Sequence, residues 1–294
     1  MLLPVYRTVL LLFVTLFSTA LFAADKTYRV KAPDGVELAV QETGNPTGQP
    51  ILFIHGLLGS HLNWEKQLSD PQLQRYRLIS FDLRGHGLSG KPQQEAAYRD
   101  GKKWADDINA VIHSSQAHRA LLVGWSLGGA AITNYLAAFG DSQIGGAIYV
   151  DGVVQINAAL LPAHPPVYRD MISEDLKTHL DGERAFLQLC FYQQPDRITF
   201  ERLVANAALA AWPMQRAVPF MSIPLEKGLK NTRVPLLFIY GKHDALVNPQ
   251  ASLARAKGVN PRIQSRIYAF SGHAPFTEET ARFNRELAAF AASL

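Results

Sequence analysis

Residues 120–123 are all apolar, run straight into Gly124-Trp125-Ser126-Leu127-Gly128, and give way at once to a helix-like stretch over 127–139. Few backbones satisfy that arrangement. A short strand that is apolar at every position has both faces buried, which places it inside a parallel sheet. Passing directly from such a strand into a helix demands a tight turn, with small residues two before and two after its apex. Ser126 is that apex. Its hydroxyl is expected at the edge of the sheet, above the N–H dipoles of the helix that follows.

The rest of the chain repeats the alternation. Residues 28–32 and 36–42 flank Pro33-Asp34-Gly35, a hairpin signal, and further short apolar runs fall at 51–54, 77–81, 147–150, 236–240 and 266–270. Helical patterns lie between them at 102–113, 249–257 and 275–292. Strands alternating with helices imply an α/β fold: a doubly wound, mostly parallel sheet of eight strands, covered by helices on both faces and opened by an antiparallel hairpin. The rhythm breaks over 152–233, which is rich in Pro, Leu and aromatic residues and too long for a plain loop. An inserted helical lid is expected there, with the core contributed by 25–151 and 234–294.

Residues 1–24 stand apart. One charge, Arg7, precedes an apolar run over 9–24 that ends in small residues, the layout of a cleaved signal peptide. The expectation is export, to the periplasm or outside the cell. The alternative is a membrane anchor through 9–24, for which the run is short. The formal charge is +4, but Lys and Arg are scattered and their longest run is Lys102-Lys103, which argues against a nucleic-acid partner. Cys190 is the only cysteine, so the chain has no intramolecular disulfide and no cysteine-cluster metal site. It is expected in the core.

Three further segments bear on chemistry. His55-Gly56-Leu57-Leu58 follows the 51–54 run, and the Leu57 N–H is expected to pair with that of Leu127 as two donors to an oxyanion. His55 is expected to be structural. His273 lies between the last strand and the last helix, where an imidazole could take the Ser126 proton and return it to a leaving group. Asp244 follows the next-to-last strand and could hold that imidazole. Asp151, at the end of the 147–150 run, is its rival on the same edge, and the chain order nucleophile–acid–histidine favours Asp244.

The order Ser126, Asp244, His273, the His55-Gly56 loop and the stretch Asp82-Leu83-Arg84-Gly85-His86-Gly87-Leu88-Ser89 together resemble the α/β-hydrolase superfamily, from about Tyr28 to the end. The resemblance implies a lidded serine esterase with a nucleophile elbow and an oxyanion hole, and reads Asp82, Arg84 and His86 as scaffold. Cofactor-free perhydrolases, haloperoxidases and carbon–carbon bond hydrolases share the layout and are the alternatives. Relatives that replace alkyl halides or open epoxides use Asp where this chain has Ser126. Expected, then, is cleavage of a carboxylic ester or related acyl bond in an apolar small molecule, through an acyl-enzyme, with no metal or organic cofactor. Trp125 is a candidate for the substrate pocket. The reading of another class is a ligand-binding or sensing protein on the same fold with an idle triad.

Overall fold

The computed structural model describes residues 25–294; the expected signal segment at 1–24 lies outside the described residues. Eight strands form one sheet: β1 (Lys26–Lys31), β2 (Glu37–Gly44), β3 (Pro50–Ile54), β4 (Arg77–Phe81), β5 (Ala120–Trp125), β6 (Ile144–Val150), β7 (Leu236–Gly241) and β8 (Gln264–Tyr268). Their spatial order is β1-β2-β4-β3-β5-β6-β7-β8. The β1–β2 and β2–β4 pairs are antiparallel and all later pairs parallel, as expected. Strand β5 is buried at every residue, in keeping with its unbroken apolar run.

This order places the site. From β3 the chain steps outward to β4, then crosses back over β3 to β5, so the winding reverses between β3 and β5. A crevice opens beyond the carboxyl ends of the strands at such a reversal. The two loops that leave there carry Gly56-Leu57 and Ser126.

Among the described residues, twelve α-helices accompany the sheet. The helices α1 (Glu65–Leu68), α2 (Ala96–Arg99) and α3 (Gly101–Ser115) precede β5, and α4 (Leu127–Phe139) follows it. Helix α3 is capped by the Asp100 carboxylate, which accepts the Lys102 N–H at 2.9 Å, and it buries the stripe Trp104, Ile108, Val111 and Ile112. At roughly 1.5–3 kcal/mol per large apolar side chain, that stripe outweighs the helix's weak intrinsic propensity. Helix α4 is buried all round from Leu127 to Ala137; its Gly and Ala residues let it lie close against the sheet.

Between β6 and β7 the chain makes α5 (Pro165–Met171), α6 (Leu176–Leu189), α7 (Arg197–Ala207), α8 (Trp212–Ala217) and α9 (Leu225–Leu229). Helix α10 (Pro249–Val259) joins β7 to β8. The single terminal helix expected over 275–292 is two, α11 (Pro275–Glu278) and α12 (Thr280–Ala291), broken at Glu279. The break turns two carboxylates onto the loop that holds His273. Glu278 accepts the Gly272 N–H at 2.8 Å, and Glu279 accepts the Phe270 N–H at 3.0 Å. The last strand is also displaced from the expected 266–270. It pairs only with β7, and that pairing ends at Gly241 with Tyr268, so Phe270 leaves the sheet and stands 66% exposed.

Arg84, Asp82 and His86 are buried. The Arg84 guanidinium bridges Asp107 at 2.7 Å and Asp34 at 2.9 Å, tying the β4 loop to α3 and to the first hairpin. Cys190 is buried, as expected of a core residue.

Candidate active site

Ser126 has φ 53° and ψ −114°, a backbone conformation that non-glycine residues rarely adopt. Strand β6, the loop after it and the first turn of α4 hold it there: its N–H donates to Val150 O at 2.9 Å, and its carbonyl accepts from Gly129 N at 2.9 Å and Val153 N at 3.0 Å. Two glycines make the turn possible. A Cβ on Gly124 would lie 2.6 Å from Gly128 O, and one on Gly128 would lie 2.4 Å from Ile54 O. No side chain fits either gap.

The β3 loop passes hard against this turn, since a Cβ on Gly56 would come within 3.0 Å of Ser126 Cβ. The Leu57 N–H has no acceptor among the described residues. Leu127 is the first residue of α4, where an N–H has no intrahelical partner. Both expected oxyanion donors are thus uncommitted. His55 supports the loop: its Nδ1 bonds Gly56 O at 2.7 Å and its Nε2 accepts the Leu83 N–H at 2.9 Å. Burial pushes its pKa down to about 4, so the ring is neutral.

His273 Nδ1 lies 2.8 Å from Asp244 Oδ2, and Asp244 Oδ1 accepts the N–H groups of Leu246 at 2.8 Å and Val247 at 3.0 Å. The backbone of His273 is gripped on both sides. Its N–H donates to Cys190 O at 3.0 Å, and its carbonyl accepts the Trp125 indole N–H at 2.6 Å. Its Nε2 is buried and has no partner among the described residues, so Ser126 and His273 share a rim without a hydrogen bond between them. Asp151 is not the imidazole's hydrogen-bond partner; its Oδ1 accepts the Gly241 N–H at 2.8 Å. Burial, reinforced by the Asp244 charge, pushes its pKa well above the usual carboxylate range.

Atoms of Asp151, Asp244 and His273 lie within 4.8 Å of one another, the spacing of a possible metal site. Here Nδ1 and both Asp244 oxygens are committed to hydrogen bonds, which leaves a cation no free set of three ligands.

Ser126, Leu57 and Leu127 open onto a cavity of about 350 Å³ walled by apolar side chains. The segment between β6 and β7 supplies Tyr168 and Phe186 from its helices and Met221 from the link between α8 and α9, and the β7–α10 loop supplies Leu246 and Val247. Trp125 does not line it, which corrects the expectation that it belongs to the substrate pocket. Neighbours along an extended strand end point to opposite sides. The indole therefore lies beneath the His273 loop, packed on Phe276 at 5.1 Å between ring centroids. The aromatic content of 152–233 is a visible signal, but which of those rings would face the cavity is set by tertiary packing.

A model described as "Alpha/beta hydrolase family" matches residues 51–286. The chain belongs to that family. Among solved members, an aryl-esterase candidate from Burkholderia cenocepacia is 62% identical, covering 92% of this chain and 100% of that one, with a TM-score of 0.91. The esterase RhEst1 from Rhodococcus sp. ECU1013 is 28% identical over 91% of this chain and 99% of that one, with a TM-score of 0.82. The bifunctional esterase/perhydrolase DCH of Acinetobacter calcoaceticus is 24% identical over 89% of this chain and 98% of its own length. This alpha/beta hydrolase therefore shares its fold with proteins described as esterases.

Proposed function

We propose that the chain is a carboxylic ester hydrolase in which Ser126 is the nucleophile, His273 the general base and acid, and Asp244 the residue that orients the imidazole. One observation carries the reading: an imidazole tethered by Nδ1 to a buried carboxylate, with Nε2 unpartnered, at the same carboxyl edge of the sheet as a strained serine that opens onto an apolar cavity. The esterase descriptions of the Burkholderia and Rhodococcus relatives support it.

In this reaction the Ser126 oxygen attacks the ester carbonyl as its proton passes to His273 Nε2. The Leu57 and Leu127 N–H groups receive the negative charge that develops on the carbonyl oxygen. The C–O bond to the alcohol breaks and the imidazolium returns its proton to the departing oxygen. Water, deprotonated by the same nitrogen, then attacks the acyl-enzyme, and the acid leaves as Ser126 regains its proton. The cavity wall has no charged side chain, so the favoured substrate is uncharged and apolar around the ester. In this reading the inserted helices act as a lid, and residues 1–24 direct export.

Ser126→Ala should lower turnover of a chromogenic ester by about 10⁴-fold or more while leaving the thermal midpoint nearly unchanged. Retained turnover would overturn the reading. Peroxide replacing water at the second step would give a peracid on the same residues. The description of the Acinetobacter relative supports that second activity, and assaying peracid formation with added hydrogen peroxide tests it.

A further inference from the structure

Asp151 has a backbone and a set of contacts that its place next to the triad does not require. It directly follows β6 with φ 44°, in the left-handed region that Asp visits more readily than most side chains. Its N–H donates to Ile239 O at 2.8 Å and its Oδ1 accepts from Gly241 N at 2.8 Å, so strand β7 fixes both its backbone and half its side chain. The side chain is fully buried. Its other oxygen, Oδ2, receives no N–H from any described residue. The carboxyl faces that of Asp244: an oxygen of each and a ring nitrogen of His273 lie within 4.8 Å of one another.

Two carboxylates in contact in a dry interior cannot both stay ionised, and the pair keeps one proton between them. The hydrogen bonds decide where it sits. Asp244 receives three N–H groups, from His273, Leu246 and Val247, whereas Asp151 receives one, from Gly241. Each N–H favours the charged form of the carboxyl that accepts it, so Asp244 keeps the charge. The proton belongs on Asp151. Its unpaired Oδ2 is the oxygen that can carry it, with Asp244 as acceptor.

We propose that Asp151 is a positioning residue for the reaction, a protonated carboxyl that donates to Asp244 and holds that carboxylate in line with the imidazole. It touches neither substrate nor the reacting atoms and acts only through Asp244. The role rests on the hydrolase reading above and adds a fourth member behind the three. Other titratable groups face it from the packed elements. They are Glu278 on α11, Cys190 at the end of α6, and Tyr240 on β7, whose hydroxyl donates to Gly152 O at 2.8 Å. Lys and Arg make no salt bridge with Asp151 or Asp244 among the described residues, so no fixed cation offers to neutralise a second negative charge.

Kinetics of the full chain test this. Asp151→Ala should lower kcat about tenfold with KM within about twofold, because substrate contacts are intact and the base is less well held. Asp151→Asn should restore most of that loss, since its amide can accept from Gly241 and donate to Asp244. In Asp151→Asn the acid limb of the kcat/KM profile should stay where it is in the native enzyme, because one neutral group replaces another. Were Asp151 ionised, removing its charge would destabilise the imidazolium, and the limb would move down by about one unit. Such a movement overturns the proposal, as does an Asp151→Ala enzyme with native kcat, or an Asp151→Asn enzyme no better than Asp151→Ala. Should Asp151→Ala fail to fold, infrared spectroscopy near neutral pH decides. A carboxylic-acid carbonyl band present in the native protein and missing from Asp151→Asn supports the assignment, and its absence from the native protein refutes it. These failures are separable from that of the hydrolase reading, which falls only if Ser126→Ala retains turnover.

Discussion

Among the described residues two His–carboxylate pairs are fully buried, and they are built differently. His273 and Asp244 sit on loops at the carboxyl ends of the sheet, with the carboxylate fed by two backbone N–H groups and the outer ring nitrogen uncommitted. His179 and Glu183 sit one turn apart on α6, 3.1 Å from ring nitrogen to carboxyl oxygen, with Gln215 Nε2 donating to the same oxygen at 2.8 Å. There the imidazole is stacked on Trp212 at 4.1 Å between centroids, and no backbone N–H reaches the carboxyl. Burial pushes Glu183 up to about 7. Both pair an imidazole with a carboxyl, but only the sheet-end pair has backbone donors on its carboxyl and lies on the edge of the sheet that carries Ser126. Chemistry follows from that setting rather than from the pairing itself.

The largest expected effect sharpens the contrast. Asp244→Asn should cut kcat by about 10³–10⁴-fold, through loss of the tautomer and of charge stabilisation on the imidazole. Glu183→Gln should leave kcat within about twofold in the same ester assay. Comparable losses in both would mean that the two pairs are not distinct in role.

A smaller effect is expected where the inserted helices meet the cavity. Phe186→Ala removes a ring from the wall, so the ratio of kcat/KM for long-chain over short-chain acyl esters should rise about tenfold, read across a graded ester panel. The same change should cost about 3 kcal/mol of stability, because Phe186 is buried. An unchanged length preference would separate that ring from substrate.

The smallest effect is on stability against pH. A carboxyl whose pKa is raised by folding stabilises the fold fully below its unfolded value near 4.5, and that contribution fades as pH rises through about 7. The thermal midpoint of the native protein should therefore fall by a few degrees between pH 5 and pH 8. In Glu183→Gln, scanned by calorimetry over the same range, this part of the fall should disappear.

Local signals account for what the sequence makes plain. Gly124-Trp125-Ser126-Leu127-Gly128, His55-Gly56-Leu57 and the strand ends before Asp244 and His273 are each set by turn geometry within a few residues, and strand order then brings them to one rim. The choice between Asp244 and Asp151 follows from chain order and agrees with the 2.8 Å contact to the imidazole. The contact of the two carboxyls with each other has no local signature, because it depends on the register of β6 against β7. Trp125 misleads for a simple reason: adjacency in the chain suggests a shared cavity, whereas successive side chains leave a strand on opposite sides. The break at Glu279 is likewise hidden, since a helical pattern continues across it and the donors that hold the Glu278 and Glu279 carboxylates, among them the N–H groups of Tyr192, Gln193, Phe270 and Gly272, come from distant loops or the far side of the turn.

The indole of Trp125 grips the carbonyl of His273, and Trp125 is joined by a peptide bond to Ser126. Nucleophile and base therefore hang from one mechanical link. A tilt of the β5 tip should carry hydroxyl and ring the same way, so that their separation changes less than it would without the indole tie.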